Sequence, residues 1–237
     1  MKNKSTLMLV CVLWTSMLWG QAYKFEGGLF LGGANFQGDL VETNIFNVDQ
    51  TTLGVGLNFK YHLSPIFALR ANLLHGKLKG NDDNYDRLKE RGFNFRTPLT
   101  EFSVQFEWDA LGKQRYEEDF KRLVSPYLFA GVGIAFFKPD TNYGDSQSNN
   151  FNLEKVEQDQ KENYSTTLPV IPMGFGIKVD LKEQWLLAVE LGMRKTFTDY
   201  LDGVSQSGNP DKDDWYTFYG ASVMYRFGAQ RIKNEEK

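Results

Sequence analysis

Nine charged side chains stand at alternating positions within otherwise apolar stretches of this 237-residue chain: Glu26, Lys60, Arg70, Glu101, Glu107, Lys178, Glu190, Arg194 and Arg226. Acids and bases arranged in this way could form a proton or substrate path, or could neutralise one another as ion pairs. The usual catalytic constellations are not legible. His62 and His75 are the two histidines, and neither has a partner at metal-ligand spacing. The acidic run 81–86 lacks the turn glycine and the distal bidentate glutamate of a calcium loop, and reads as a solvated segment. The glycine-rich stretches 27–33 and 131–133 lie within apparent strands and lead into no helix, so they do not read as phosphate-binding loops. Glycine there would make room for bulky neighbours such as Phe30 and Phe129. No catalytic, cofactor-binding or metal residue is assigned, and the chain reads as non-enzymatic.

The elements that must position these charges are strands. In the stretch 185–197, Trp185, Leu187, Val189, Leu191, Met193 and Phe197 fall on one side, and Ala188, Glu190, Gly192, Arg194 and Thr196 on the other. The same alternation predicts eight strands, at 25–36, 52–62, 66–78, 98–109, 126–138, 168–180, 184–197 and 215–227. Each is long enough to cross a bilayer at a tilt, which takes about 9–11 residues. The charges keep to one face throughout: Phe102, Val104, Phe106 and Trp108 oppose Glu101, Ser103, Gln105 and Glu107.

Connection lengths alternate as well. Tight turns near Ser64–Pro65 and Lys182–Glu183 contrast with long polar loops at 37–51, 79–97, 139–167 and 198–214. Short turns at one end and long loops at the other are the layout of an outer-membrane barrel. The expected fold is all-β: an eight-stranded antiparallel transmembrane β-barrel, with its long loops outside the cell and both termini in the periplasm. The connection 110–125 breaks the pattern, because it lies on the short-turn side yet carries Lys113, Arg115, Glu117, Glu118, Asp119, Lys121 and Arg122.

The N-terminus agrees with export. Lys2 and Lys4 precede an apolar run over 7–18, and Gly20 and Ala22 are small residues at the −3 and −1 positions of a signal-peptidase site. Residues 1–22 are therefore expected to be a cleaved signal peptide, 23–228 the barrel and 229–237 a polar periplasmic tail. Cys11, the single cysteine, lies within the signal, which leaves no thiol for disulfides or metal. Residues 1–22 hold two lysines and no acids, so the remainder carries 25 basic and 30 acidic side chains, unlike a nucleic-acid binder. A mean hydropathy of −0.44 excludes a helical membrane bundle but suits a barrel, which shows lipid only every second residue.

An eight-stranded barrel has a bore that side chains can fill. Charges confined there are expected to pair, because an unpaired buried charge is very costly. A lipocalin-like soluble barrel is the alternative fold, with the two faces exchanged. Aromatics near the strand ends, namely Phe25, Phe36, Tyr61, Trp108, Phe136, Phe137, Trp185, Phe197, Trp215 and Tyr216, are expected to form girdles at the lipid headgroups. In the last strand Gly220, Val223, Tyr225 and Phe227 resemble the signal read by the barrel assembly machinery.

Segments 33–40 (GANFQGDL), 95–101 (FRTPLTE), 125–133 (SPYLFAGVG) and above all 194–205 (RKTFTDYLDGVS) resemble the PorG-like outer-membrane proteins of Bacteroidetes, which are similar to a component of the type IX secretion system. The resemblance implies a non-enzymatic barrel that attaches a periplasmic ring, made of a lipoprotein and a partner subunit, to the outer membrane. Topology would place the ring contacts on 110–125, through Lys113, Arg115, Glu117, Glu118, Lys121 and Arg122, and on the tail. The competing readings are a stand-alone barrel that stabilises the envelope or adheres through its loops, a rim enzyme, and a small porin.

Overall fold

A strand patterned with period two sends apolar and polar side chains to opposite faces, so the sheet it joins needs a different surrounding on each side. The computed structural model, which describes residues 24–38, 40, 48–86, 88–89, 91–116, 122–144 and 153–227, meets that demand by closing the sheet on itself. The expected signal peptide and tail, together with Glu117, Glu118 and Lys121, lie outside the described residues.

Eight long strands form the wall: β1 Phe25–Gln37, β2 Thr52–His62, β3 Phe67–Asn81, β4 Asn94–Asp109, β5 Val124–Phe137, β7 Thr167–Asp180, β8 Trp185–Lys195 and β9 Trp215–Phe227. A three-residue strand, β6 Asp140–Asn142, is added beside the start of β4. All pairings are antiparallel, the eight long strands pair in chain order, and closure comes from β1 against β9, running from Phe25↔Phe227 to Gln37↔Trp215. The first and last strands thus begin and end at one rim, the termini end. The opposite rim carries the long connections.

The outer surface is apolar, and the interior is charged from the termini end to mid-barrel. Leu29, Leu53 and Val132 are 66%, 68% and 69% exposed, while Arg70, Lys178 and Arg194 are 1% exposed. This inside-out distribution is that of a membrane-spanning barrel, and it removes the lipocalin-like alternative, which needs an apolar interior and a polar coat. No helix among the described residues is long and apolar enough to cross a membrane.

Three sequence expectations are corrected. β3 and β4 do not stop at 78 and 98 but pair on to Asn81↔Asn94, so both ends of the expected loop 79–97 are strand and the β3–β4 hairpin stands above the apolar belt. The expected loop 139–167 contains β6 and a helix, α1 Leu153–Lys161, with Glu154 in its first turn and Lys161 in its last, each at the helix end that favours its charge. Among the supposed girdle aromatics, Phe36, Phe137 and Tyr216 are buried on the inner face. Their parity matches that of luminal Phe30, Ala135 and Phe218, and strand geometry overrides the preference of the ring.

Leu57 lies midway along β2 and points outward. Replacing it with Arg is expected to destabilise the barrel in lipid vesicles by about 2–4 kcal/mol, the cost of a cation near the bilayer midplane. Urea unfolding of the vesicle-embedded variant checks this, and an unchanged midpoint would contradict the lipid-facing assignment.

Candidate functional site

The inner wall falls into two zones. Towards the termini end it is ionic. Arg226 Nε lies 2.9 Å from Glu26 Oε1, and its other arm bonds Asp180. His62 Nε2 approaches Glu26 Oε1 at 3.2 Å. Glu107 holds Lys60 at 2.7 Å and Lys178 at 2.5 Å, and Lys178 also reaches Asp109 Oδ2 at 3.1 Å. Asp109 in turn accepts from Ser125 Oγ. The Tyr127 ring lies beneath both ammonium groups, 5.3 Å from Lys60 and 4.7 Å from Lys178.

Mid-barrel, the Arg70 guanidinium donates to Glu190 Oε2 at 2.6 Å and through Nε to Gln105 Oε1 at 3.0 Å, with its plane over Phe129 at 4.2 Å. Tyr127 donates to the same Glu190 oxygen at 2.7 Å. Gln105 Nε2 donates to Ser103, and Ser103 Oγ to Glu101 Oε1. Glu101 then takes Arg194 Nε at 3.0 Å and the Tyr216 hydroxyl at 2.8 Å. Arg70 Nη1 also lies 3.8 Å from Glu107, which joins the two clusters.

All nine charges singled out in the sequence therefore stand on the inner wall, buried, each with an opposite charge within ion-pair distance. Sequence reasoning did not assign His62, Asp109, Asp180, Tyr127, Gln105 or Tyr216 to this set, although the parity of Asp180 and Asp109 carried the signal. The rings need space, which glycines supply: a Cβ on Gly192 or Gly174 would stand 3.0 or 2.6 Å from the Phe129 ring, and one on Gly176 would meet Tyr127. These are glycines of β7 and β8 rather than those of 131–133.

Towards the long-loop end the lumen becomes apolar. Phe30, Phe36, Leu74, Leu78, Phe93, Phe95, Leu99 and Phe218 pack with Leu40, Leu201 and Val204 from the connections and Val156 from α1. The stretch 201–205 is buried throughout and caps this core. Thr97 Oγ1 donates to the Leu201 carbonyl at 2.6 Å, and the Tyr143 hydroxyl to that of Gly203, also at 2.6 Å. Gly203 has φ +80°, and a Cβ there would collide with Thr141, so this corner requires glycine. Asp159 on α1 accepts from the amides of Gln206 and Ser207, each at 2.9 Å, and from the Ser207 hydroxyl. Burial, and then the Asp159 charge, raise the Tyr143 phenol above its ordinary pKa and keep it a donor.

The remaining expected positions are surface features. His75 faces outward and pairs with the Thr100 hydroxyl at 2.9 Å, away from the lumen. In the connection 110–125, Gly112–Tyr116 forms a single 3-10 turn from which Lys113 projects, and Arg122 is also exposed. Among the described residues, no group of three His, Cys, Asp or Glu side chains is placed to hold a metal ion.

The fold recurs among known structures. Neisserial surface protein A superposes with a TM-score of 0.52 at 13% identity, covering 88% of this chain and 100% of its own. A major outer membrane protein from Thermus thermophilus (TM-score 0.45, 13% identity, 87% and 100% covered) and OprG from Pseudomonas aeruginosa (0.44, 10%, 88% and 98%) are further similar structures. A comparison with curated proteins finds no match. A family model described as "Domain of unknown function (DUF6089)" matches residues 3–233.

Two outcomes follow from the geometry. Glu190→Leu leaves buried Arg70 without its hydrogen-bonded acid, with only Glu107 at 3.8 Å, and is expected to cost about 3–5 kcal/mol in equilibrium unfolding, whereas pairing it with Arg70→Met restores most of the loss. Additive losses in the double variant would contradict the pairing. Asp159→Ala is expected to release 205–207, seen as faster amide exchange there with the strands unaffected, while protection equal to the parent would contradict the latch.

Proposed function

The chain belongs to the DUF6089 family, and from that premise and its filled lumen we propose that it is a non-enzymatic outer-membrane barrel whose work is done at its two ends. The observation that carries this reading is the interior itself: among the described residues its charges are paired over one half and its rings packed together over the other, which favours a filled lumen over a site or a channel. Function is thereby directed to the rims.

In this reading the termini end faces the periplasm, and the barrel anchors a periplasmic ring of the type IX secretion machinery, made of a lipoprotein and its partner subunit. The resemblance of 33–40, 95–101, 125–133 and 194–205 to the PorG-like proteins of Bacteroidetes supports it. Ring contacts are placed on 110–125, where Lys113 and Arg122 project, and on the tail 229–237. The barrel assembly machinery recognises the end of β9 during insertion, and the luminal ion pairs serve to fix the wall rather than to move protons.

The built long-loop end favours a second reading. A helix latched by Asp159 onto a buried cap is an ordered outer surface, which suits a stand-alone barrel that meets partners outside the cell or braces the envelope.

Affinity purification of the tagged full chain from outer membranes in mild detergent separates the two. Co-recovery of a periplasmic lipoprotein and a second periplasmic subunit at comparable abundance, lost on deletion of 113–121 with the barrel still folded, is the expected result. Recovery of the chain alone would overturn the secretion reading in favour of the stand-alone barrel.

A further inference from the structure

The apolar belt is not level around the barrel. Following register across the wall, Val55 on β2 pairs with His75 on β3, His75 with Thr100 on β4, and Thr100 with Phe136 on β5. The outer strands of that row are still apolar while the middle two have turned polar. Towards the long-loop rim the outward positions of β3 and β4 become basic: Lys77 pairs with Pro98, and Lys79 with Arg96. Lys138 joins them, its amide donating to the Pro98 carbonyl at 3.4 Å. Among the described residues none of these four cations makes an ion pair, although Asp140 stands beside Arg96 in register. Four cations so close repel one another, and the fold shows no internal need for them.

Two depressions adjoin this ladder. A shallow apolar groove of about 760 Å³ crosses the lipid-facing wall from Val223 on β9 through Leu29 and Leu57 to Leu73 on β3, where its margin, His75, lies one outward position below Lys77. Above it a cleft of about 210 Å³ is lined by Lys79 and Arg96 together with the amides of Gln50, Asn81 and Asn94, and by one acid, Asp49. An apolar slot, a band of cations and a pocket of amides, following one another along β3, match an amphiphile with an acyl chain, an anionic phosphate and a hydroxylated headgroup. Cations at headgroup level attract anionic lipid, each improving binding by about fivefold.

We propose that the outer face of β3 and β4 is a binding site for a phosphorylated anionic membrane lipid, with its acyl chain in the groove beside Leu57 and Leu73 and its phosphate held by Lys77, Lys79, Arg96 and Lys138. The site rests on the outer-membrane reading. It commits to lipid rather than to a soluble phosphate because the cations continue upward from an apolar slot that only a chain in the bilayer reaches.

The test is native mass spectrometry of the full chain released from micelles doped with phosphatidylglycerol, with lipid A, with phosphatidylcholine or with diacylglycerol. Retention of one phosphatidylglycerol or lipid A, with phosphatidylcholine and diacylglycerol lost, is expected. The variant Lys77→Gln/Arg96→Gln, whose changes point away from the core, should weaken retention by at least tenfold. Equal retention of all four lipids, no effect of the variant, or displacement of the lipid by inorganic phosphate would each overturn the proposal. Insertion into lipid nanodiscs, assayed on the same preparation, keeps the two readings apart: a chain that inserts but holds no lipid refutes the site alone, and one that does not insert refutes the membrane reading.

Discussion

Everything in this molecule depends on the seam between β1 and β9. In hydrocarbon a backbone amide or carbonyl without a partner costs several kcal/mol, so a sheet can stand there only if it has no edge. The thirteen-residue ladder from Phe25↔Phe227 to Gln37↔Trp215 removes the last edge. Closure fixes two faces of opposite polarity, and eight strands fix a bore that side chains must fill. Charged residues at the inward positions of the strands then have no solvent to retreat to, and opposite charges meet across the lumen.

The lumen solves its filling problem twice, by different physics. From the termini end to mid-barrel the contacts are charge-assisted and geometrically specific: Arg70 donates to Glu190 and Gln105 while Tyr127 donates to Glu190, and loss of any one leaves a costly remainder. At the long-loop end Phe36, Phe95, Phe218, Leu201 and Val204 bury apolar surface, which is non-directional and supplies net stability. Segment 201–205 seals the apolar core from above while its backbone is held by Thr97, Tyr143 and Asp159.

Period-two alternation made the strands and their faces legible, because each wall strand must serve lipid on one side and the lumen on the other. It failed above the belt. Outward Lys77, Lys79 and Arg96 meet the headgroups and water there while inward Leu78 and Phe95 continue the core, so the polar–apolar contrast that marked β3 and β4 reverses its faces and no longer reads as the same strand. Helix α1 was invisible for a different reason: it is nine residues long, too short to declare itself by periodicity, and is held by Asp159. Parity could place Glu190 or Arg70 on the inner face. It could not say that these two, 120 positions apart, would meet, since that follows only from barrel closure. For Phe36, Phe137 and Tyr216 residue type pointed to a girdle while parity pointed inward, and parity was the better guide.

The central claim is that this barrel is sealed and that its function therefore lies at its ends. Single-channel recording of the purified full chain in planar bilayers tests it most directly. A chain shown to be inserted, yet giving no discrete conductance over the seal current at either polarity, is the result the account requires. Stable, reproducible conductance steps from the inserted chain would contradict it, because ions would then be crossing a lumen that the ion pairs and the apolar plug are held to close.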